Sequence, residues 1–135
     1  MKASLRSLVR NRAEHRCEYC QLPEAALPAI AFHVEHIVPR KHGGTDATDN
    51  LAQACYFCNL HKGPNLTGID PSTRTIIPLF HPRQQHWAEH FRWSGPVLIG
   101  RTATGRATVQ VLAINLPHRV RIRKRLMGAG LFFKR

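Results

Sequence analysis

The chain has 135 residues, and its 20 Lys and Arg against 8 Asp and Glu give a formal charge of +12 with histidines neutral. That length suits one domain with an extension rather than two independent cores, and so large a cationic surplus favours a polyanionic partner such as nucleic acid. No stretch approaches the roughly 18 uninterrupted apolar residues of a membrane span, and MKASLRSLVRNR lacks the apolar run of a secretory signal, so a cytoplasmic protein with no membrane partner is expected.

In chain order, Leu5, Leu8, Val9 and Ala13 recur at helical spacing behind Ser4, which predicts an amphipathic helix capped by Ser4 and running to about His15. Residues 21–28 carry two prolines and read as loop, and AIAFHVEHIV (29–38) reads as a strand. The turn-rich PRKHGGTDATDN (39–50) leads to LAQAC (51–55), a returning strand, and YFCNLHKG (56–63) begins a short helix stopped by Gly63 and Pro64. Further on, TIIPLF predicts an edge strand interrupted by Pro78, and VLIG from Val97 another strand. From Arg106 to Ile114 the pattern fits strand or helix, and helix is preferred. Asn115 then caps a final basic helix with Pro117 in its first turn and Gly128 near its end. The last acidic residue is Glu89, and ten basic residues lie beyond it, several in the run His118 to Arg125, so the C-terminal third is the more cationic.

All four cysteines fall in two C-x2-C pairs, Cys17 with Cys20 and Cys55 with Cys58, with 34 residues between the pairs. Two such knuckles can set four thiolates tetrahedrally around a structural zinc ion. The competing reading is a redox or disulfide pair, which a reducing compartment disfavours.

Between the knuckles stands FHVEHIVPRKHGGTDATDNLAQACYFCNLHKG. An acidic residue directly before a histidine (Glu35, His36), a Gly-rich loop, an Asp-Asn pair (Asp49, Asn50) and Cys-Asn leading to Lys-Gly (Cys58, Asn59, Lys62, Gly63) occur in order. This combination resembles the HNH endonuclease family. The resemblance implies an α+β fold with a ββα-metal (His-Me finger) core, two zinc knuckles, an N-terminal helix and a basic C-terminal extension. Its three signature positions fall on His36, Asn50 and Asn59, an H-N-N version with asparagine in place of the last histidine. It further implies that His36 is the general base, that Asn50 braces the loop, and that Glu35 and Asn59 bind a catalytic cation. The later segments resemble small stand-alone bacterial members, which extends the likeness over most of the chain.

The chemistry asks for the same groups. A phosphodiester repels nucleophiles; a hard cation offsets that charge and stabilises the departing oxygen, while a neutral imidazole takes a proton from water. Oxygen donors such as Glu35 and Asn59 suit Mg2+ or Mn2+ rather than zinc. Arg40, Lys41 and Lys62 are placed in sequence to contact phosphates. His33 and His61 flank the proposed ligands and are secondary candidates, and the cluster holding Trp87, Phe91 and Trp93 is read as packing. The expected partner is DNA and the expected unit is residues 1–70 as nuclease core with 71–135 packed on it, as monomer or homodimer. Two alternatives stay open: a non-catalytic zinc module that binds nucleic acid, and an interaction adaptor on a zinc scaffold.

Overall fold

The apolar-rich run around Phe32 forms β1 (Phe32–His36), which pairs antiparallel with β2 (Leu51–Cys55) in a register from Phe32↔Cys55 to His36↔Leu51 in the computed structural model, which describes residues 1–133. β1 is shorter than the expected 29–38. Past His36 the ladder changes partner type: Ile37 N still donates to Asn50 O (2.8 Å), but Val38 N donates to the Asn50 side chain (2.8 Å). β2 is buried along its whole length, as five small or apolar-flanked residues under two packed faces require. It passes directly into α2 (Tyr56–Lys62), whose first turn is capped by the Cys55 sulfur accepting from Cys58 N at 3.4 Å, and which stops at Gly63 with φ 48°. Strand, strand and helix make a ββα unit.

Ahead of it, α1 (Ala3–Arg12) starts from Lys2 without a side-chain cap, so Ser4 lies within the first turn instead of capping it. The helix also ends before His15. Glu14 and His15 take φ of 55° and 60°, a left-handed geometry that cannot continue a right-handed helix. Its buried stripe is narrow: Val9 is sealed, whereas Leu8, one position round the helix, is 46 % exposed. Arg12 donates to Thr48 O (3.0 Å) and Leu51 O (2.8 Å), tying α1 to the entry of β2.

After the ββα unit, β3 (Thr67–Ile69) pairs with β4 (Ile76–Pro78), the latter lying within the expected TIIPLF strand. α3 (Trp87–His90) runs into β5 (Phe91–Ser94), which pairs with β6 (Val97–Gly100). The aromatic run read as packing thus also supplies the strand that VLIG needs. α4 (Ala103–Val111) settles the ambiguous stretch as helix, capped by Thr102 Oγ1 accepting from Gly105 N at 3.0 Å. Gly105 is required there, since a Cβ would stand 2.0 Å from His90 O. α5 (Pro117–Gly128) begins at Pro117, with Leu116 and not Asn115 at its cap position. Asn115 is drawn away to β6: it accepts from Leu98 N (3.0 Å) and Arg123 (2.8 Å), and donates to Leu98 O (2.8 Å).

The fold is α+β, and one buried cluster joins its parts. Tyr19 and the cysteines share it with Phe80, Phe91, Leu98, Leu112 and Phe132. Each such large side chain contributes about 1.5–3 kcal/mol through burial. Trp87 Nε1 donates to Tyr19 O (2.8 Å), and Phe80 meets the Tyr19 ring edge-on. No helix among the described residues is long and apolar enough to cross a membrane.

Candidate active site and metal centre

The two knuckles converge. One leads in from the turn after α1, the other from the β2–α2 junction, and the four Sγ atoms lie within 4.8 Å of one another, all buried. Cys20 and Cys55 sulfurs are 3.7 Å apart, close to the roughly 3.8 Å edge of a tetrahedron with 2.3 Å metal–sulfur bonds. Backbone N–H groups of Cys20 and Cys58 point at Cys17 and Cys55 sulfurs (3.5 and 3.4 Å), and all four thiols are free. Burial pushes the Cys17 and Cys58 thiols up, while hydrogen bonds from Cys17, Cys55 and Cys58 hold Cys20 well down. Four soft donors at this spacing, sealed from water, fit a structural zinc ion and leave no position for a reacting water.

His36 ends β1 at the rim of the loop 39–50. Its Nε2 lies 2.7 Å from Asp46 Oδ1, and the same oxygen accepts from Arg40 Nη2 at 2.8 Å. The hydrogen bond with His36, joined by the Arg40 charge, holds the Asp46 carboxyl below its ordinary range. An ionised carboxylate only accepts, so the His36 nitrogen facing it donates, and in the neutral imidazole Nδ1 is then the atom that keeps a lone pair. The imidazole is partly open, with 20 % side-chain exposure. Asp46 was not singled out from sequence. Its signal was the position after GGT, inside the loop bracketed by His36 and Asn50.

Asn50 closes that loop. Its amide donates to Val38 O (3.0 Å) and Thr45 O (2.8 Å) while its carbonyl accepts from Val38 N. Gly44 passes so close beneath Val38 that a Cβ would lie 1.6 Å from its carbonyl oxygen. The GG pair is therefore what lets the loop fold flat enough for Asn50 to span it.

Glu35 departs from expectation. It is 5 % exposed, its Oε2 accepts from Tyr19 OH at 2.7 Å, and its Oε1 pairs with Lys62 Nζ. Burial pushes its carboxyl up, against the pull of Lys62. Lys62, expected at DNA phosphates, is instead 1 % exposed and donates to Ile37 O (3.0 Å) and His36 O (3.4 Å). Spacing alone put Lys62 on the face of Asn59, and that face turns inward. Asn59 is half-buried on α2 and makes no side-chain hydrogen bond to another described residue, Glu35 and His36 included. Arg40 and Lys41 are exposed beside His36 in the loop. His33 lines a cleft with Arg6, Arg10 and Glu24, and His61 is half-buried on α2, neither bonded to His36.

The basic run of α5 splits by face. Arg121, Lys124 and Arg125 are exposed, but Arg119 and Arg123 are buried, and Arg119 Nη2 reaches Cys58 Sγ at 3.1 Å. Burial works against the Arg119 charge, yet the nearby Cys58, Cys20 and Cys55 sulfurs outweigh it and raise its pKa.

Among known protein families, the model described as HNH endonuclease matches residues 17–65, a span that opens at the first knuckle and closes just past α2. No curated protein and no solved structure matches the chain.

Proposed function

Taking residues 17–65 as an HNH endonuclease domain, we propose that the chain is a metal-dependent endonuclease that hydrolyses DNA phosphodiester bonds, with His36 as its general base. The observation that carries this reading is the His36–Asp46 pair: a partly open imidazole whose Nε2 is occupied by a carboxylate. Nδ1 is then the atom that takes a proton from an attacking water, and Asp46 steadies the imidazolium that forms. Arg40, bonded to the same carboxylate and 69 % exposed, would meet a phosphate oxygen in this reading, with Lys41 next to it in sequence. Asn50 and the two Lys62 bonds hold the backbone at and after His36, which keeps the base in place.

When bound, Mg2+ or Mn2+ would neutralise phosphate charge and stabilise the leaving oxygen. Asn59 offers it an unbonded carbonyl oxygen; Glu35 fits as second ligand only by exchanging the Lys62 ammonium for the ion. Zinc at Cys17, Cys20, Cys55 and Cys58 serves stability. Residues 1–70 form the nuclease core in this reading and residues 71–135 its packed extension.

The Glu35–Lys62 pair also favours a second reading, a zinc-containing module that binds nucleic acid without cutting it. One gel separates the two. Zinc-loaded protein is incubated with supercoiled plasmid plus Mg2+, Mn2+ or no added cation, beside His36→Ala. Nicking that needs the cation and His36 supports the enzyme; a mobility shift without nicking supports the binding module.

A further inference from the structure

Arg119 and Arg123 are buried to 3 % and 2 % exposure, and neither has a carboxylate partner among the described residues. A buried guanidinium without counter-charge is strongly unfavourable. Hydrogen bonds to carbonyls take up some of their donors but not their charge: Arg119 Nη1 donates to Leu112 O (2.7 Å), and Arg123 to Pro96 O and Ile114 O (2.8 and 2.9 Å). A second Arg119 nitrogen, Nη2, lies 3.1 Å from Cys58 Sγ and 4.0 Å from Cys55 Sγ, while the guanidinium stacks over Phe57 at 5.3 Å. Cys20, Phe57, Arg119 and Arg123 line one small cleft.

We propose that α5 is part of the zinc centre: Arg119, with Arg123 behind it, supplies the counter-charge to the metal tetrathiolate and a hydrogen bond to one of its sulfurs. Four thiolates around one divalent cation sum to a charge of −2, and two buried guanidiniums bring that to zero in a place water does not reach. The spacing is deliberate in form. Positions 119 and 123 are one helical turn apart and share a face, while Arg121, Lys124 and Arg125 face solvent. Both arginines lie outside the matched residues 17–65, so this is a contribution of the extension to the metal site of the domain. Metal loading and the seating of α5 then stabilise one another by linkage. The proposal rests on zinc at the cysteines but not on nuclease activity.

The test loads the full chain with zinc and measures affinity by competition with a chromogenic chelator. Arg119→Met is expected to bind zinc about 10- to 100-fold more weakly, the usual loss when a metal ligand's partner is removed. Arg121→Met, the same charge change on the exposed face of the same helix, is expected to stay at the wild-type value. Equal zinc affinity in all three proteins overturns the proposal. Should Arg119→Met not accumulate folded, Arg119→Lys decides: the charge is retained but the fork to sulfur is lost, so weaker zinc binding and a shifted sulfur-to-cobalt charge-transfer band in the cobalt form are expected. Wild-type affinity and an unshifted band overturn it. A wild-type chain that takes up no zinc overturns the zinc reading as well, which tells that failure apart from this one.

Discussion

Replacing Lys62 by Met tests the largest departure of the site from what its sequence suggests. The ammonium is 1 % exposed and holds three acceptors, the Glu35 carboxylate and the carbonyls of His36 and Ile37. Methionine keeps the volume of the stem but leaves Glu35 with only the Tyr19 hydroxyl. Breaking one side of a buried ion pair costs about 3–5 kcal/mol, against a total stability of about 5–15 kcal/mol. For a chain of this length the melting midpoint should therefore fall by about 10–20 °C. Urea titration of the zinc-loaded protein reads the loss, and Glu35→Leu added to Lys62→Met should recover much of it, because no buried charge then remains unpaired. A further readout is DNA affinity against salt. If Lys62→Met keeps wild-type stability while the salt dependence of binding drops by about one phosphate contact, Lys62 lies on the surface and the reasoning about Glu35 fails.

The other expectations concern chemistry, metal and pH. Asp46→Asn should lower the maximal cleavage rate by roughly 10- to 100-fold with little change in KM, because an amide can also turn a donor toward His36 and so present the wrong tautomer; steady-state kinetics on a short duplex checks this. Chelation of zinc or Cys58→Ser should unfold the domain, since a tetrathiolate site carries apparent binding energies of about 10–16 kcal/mol; retention of native circular dichroism by the zinc-stripped chain would contradict it. The Arg106 fork, the Ser72 N–H and the Thr73 hydroxyl hold the Asp70 carboxyl far below its usual range. A lowered folded pKa adds stability that is present above the ordinary carboxylate value and lost as pH falls below it. Between about pH 4 and pH 2 the wild type should thus lose stability more steeply than Asp70→Asn in urea midpoints; parallel slopes would remove the assignment.

The ββα unit was legible because each of its signals is local. LAQAC becomes β2 without a residue of error, the helix from Tyr56 stops at Gly63, and the cysteine spacing brings four sulfurs together. What failed was directional. Lys62 and Glu35 stand at positions compatible with a surface site, yet both are buried, Glu35 against the Tyr19 hydroxyl and Lys62 against Glu35 and the carbonyls of His36 and Ile37. Asn115 has the chemistry of a cap, but its side chain bonds the N–H and carbonyl of Leu98 instead, and Leu116 takes the cap position. The basic run of α5 looks uniformly cationic in sequence, yet the third dimension assigns two of its arginines to sulfur and carbonyl oxygen. TGI of β3 carries little of the apolar alternation that marks a strand and is held by its pairing with Ile76–Pro78, whereas FRWS of β5 does alternate but follows directly on the aromatic run read as packing, and its pairing with Val97–Gly100 makes it a strand.

Chemical rescue tests the role of His36 most directly. Zinc-loaded His36→Ala is assayed on plasmid DNA with Mg2+ or Mn2+ while free imidazole is titrated in. Cutting should fall by roughly 10²- to 10⁴-fold on truncation and rise again with imidazole concentration if His36 is the base. Cutting at the wild-type rate by His36→Ala, with no response to imidazole, would contradict it.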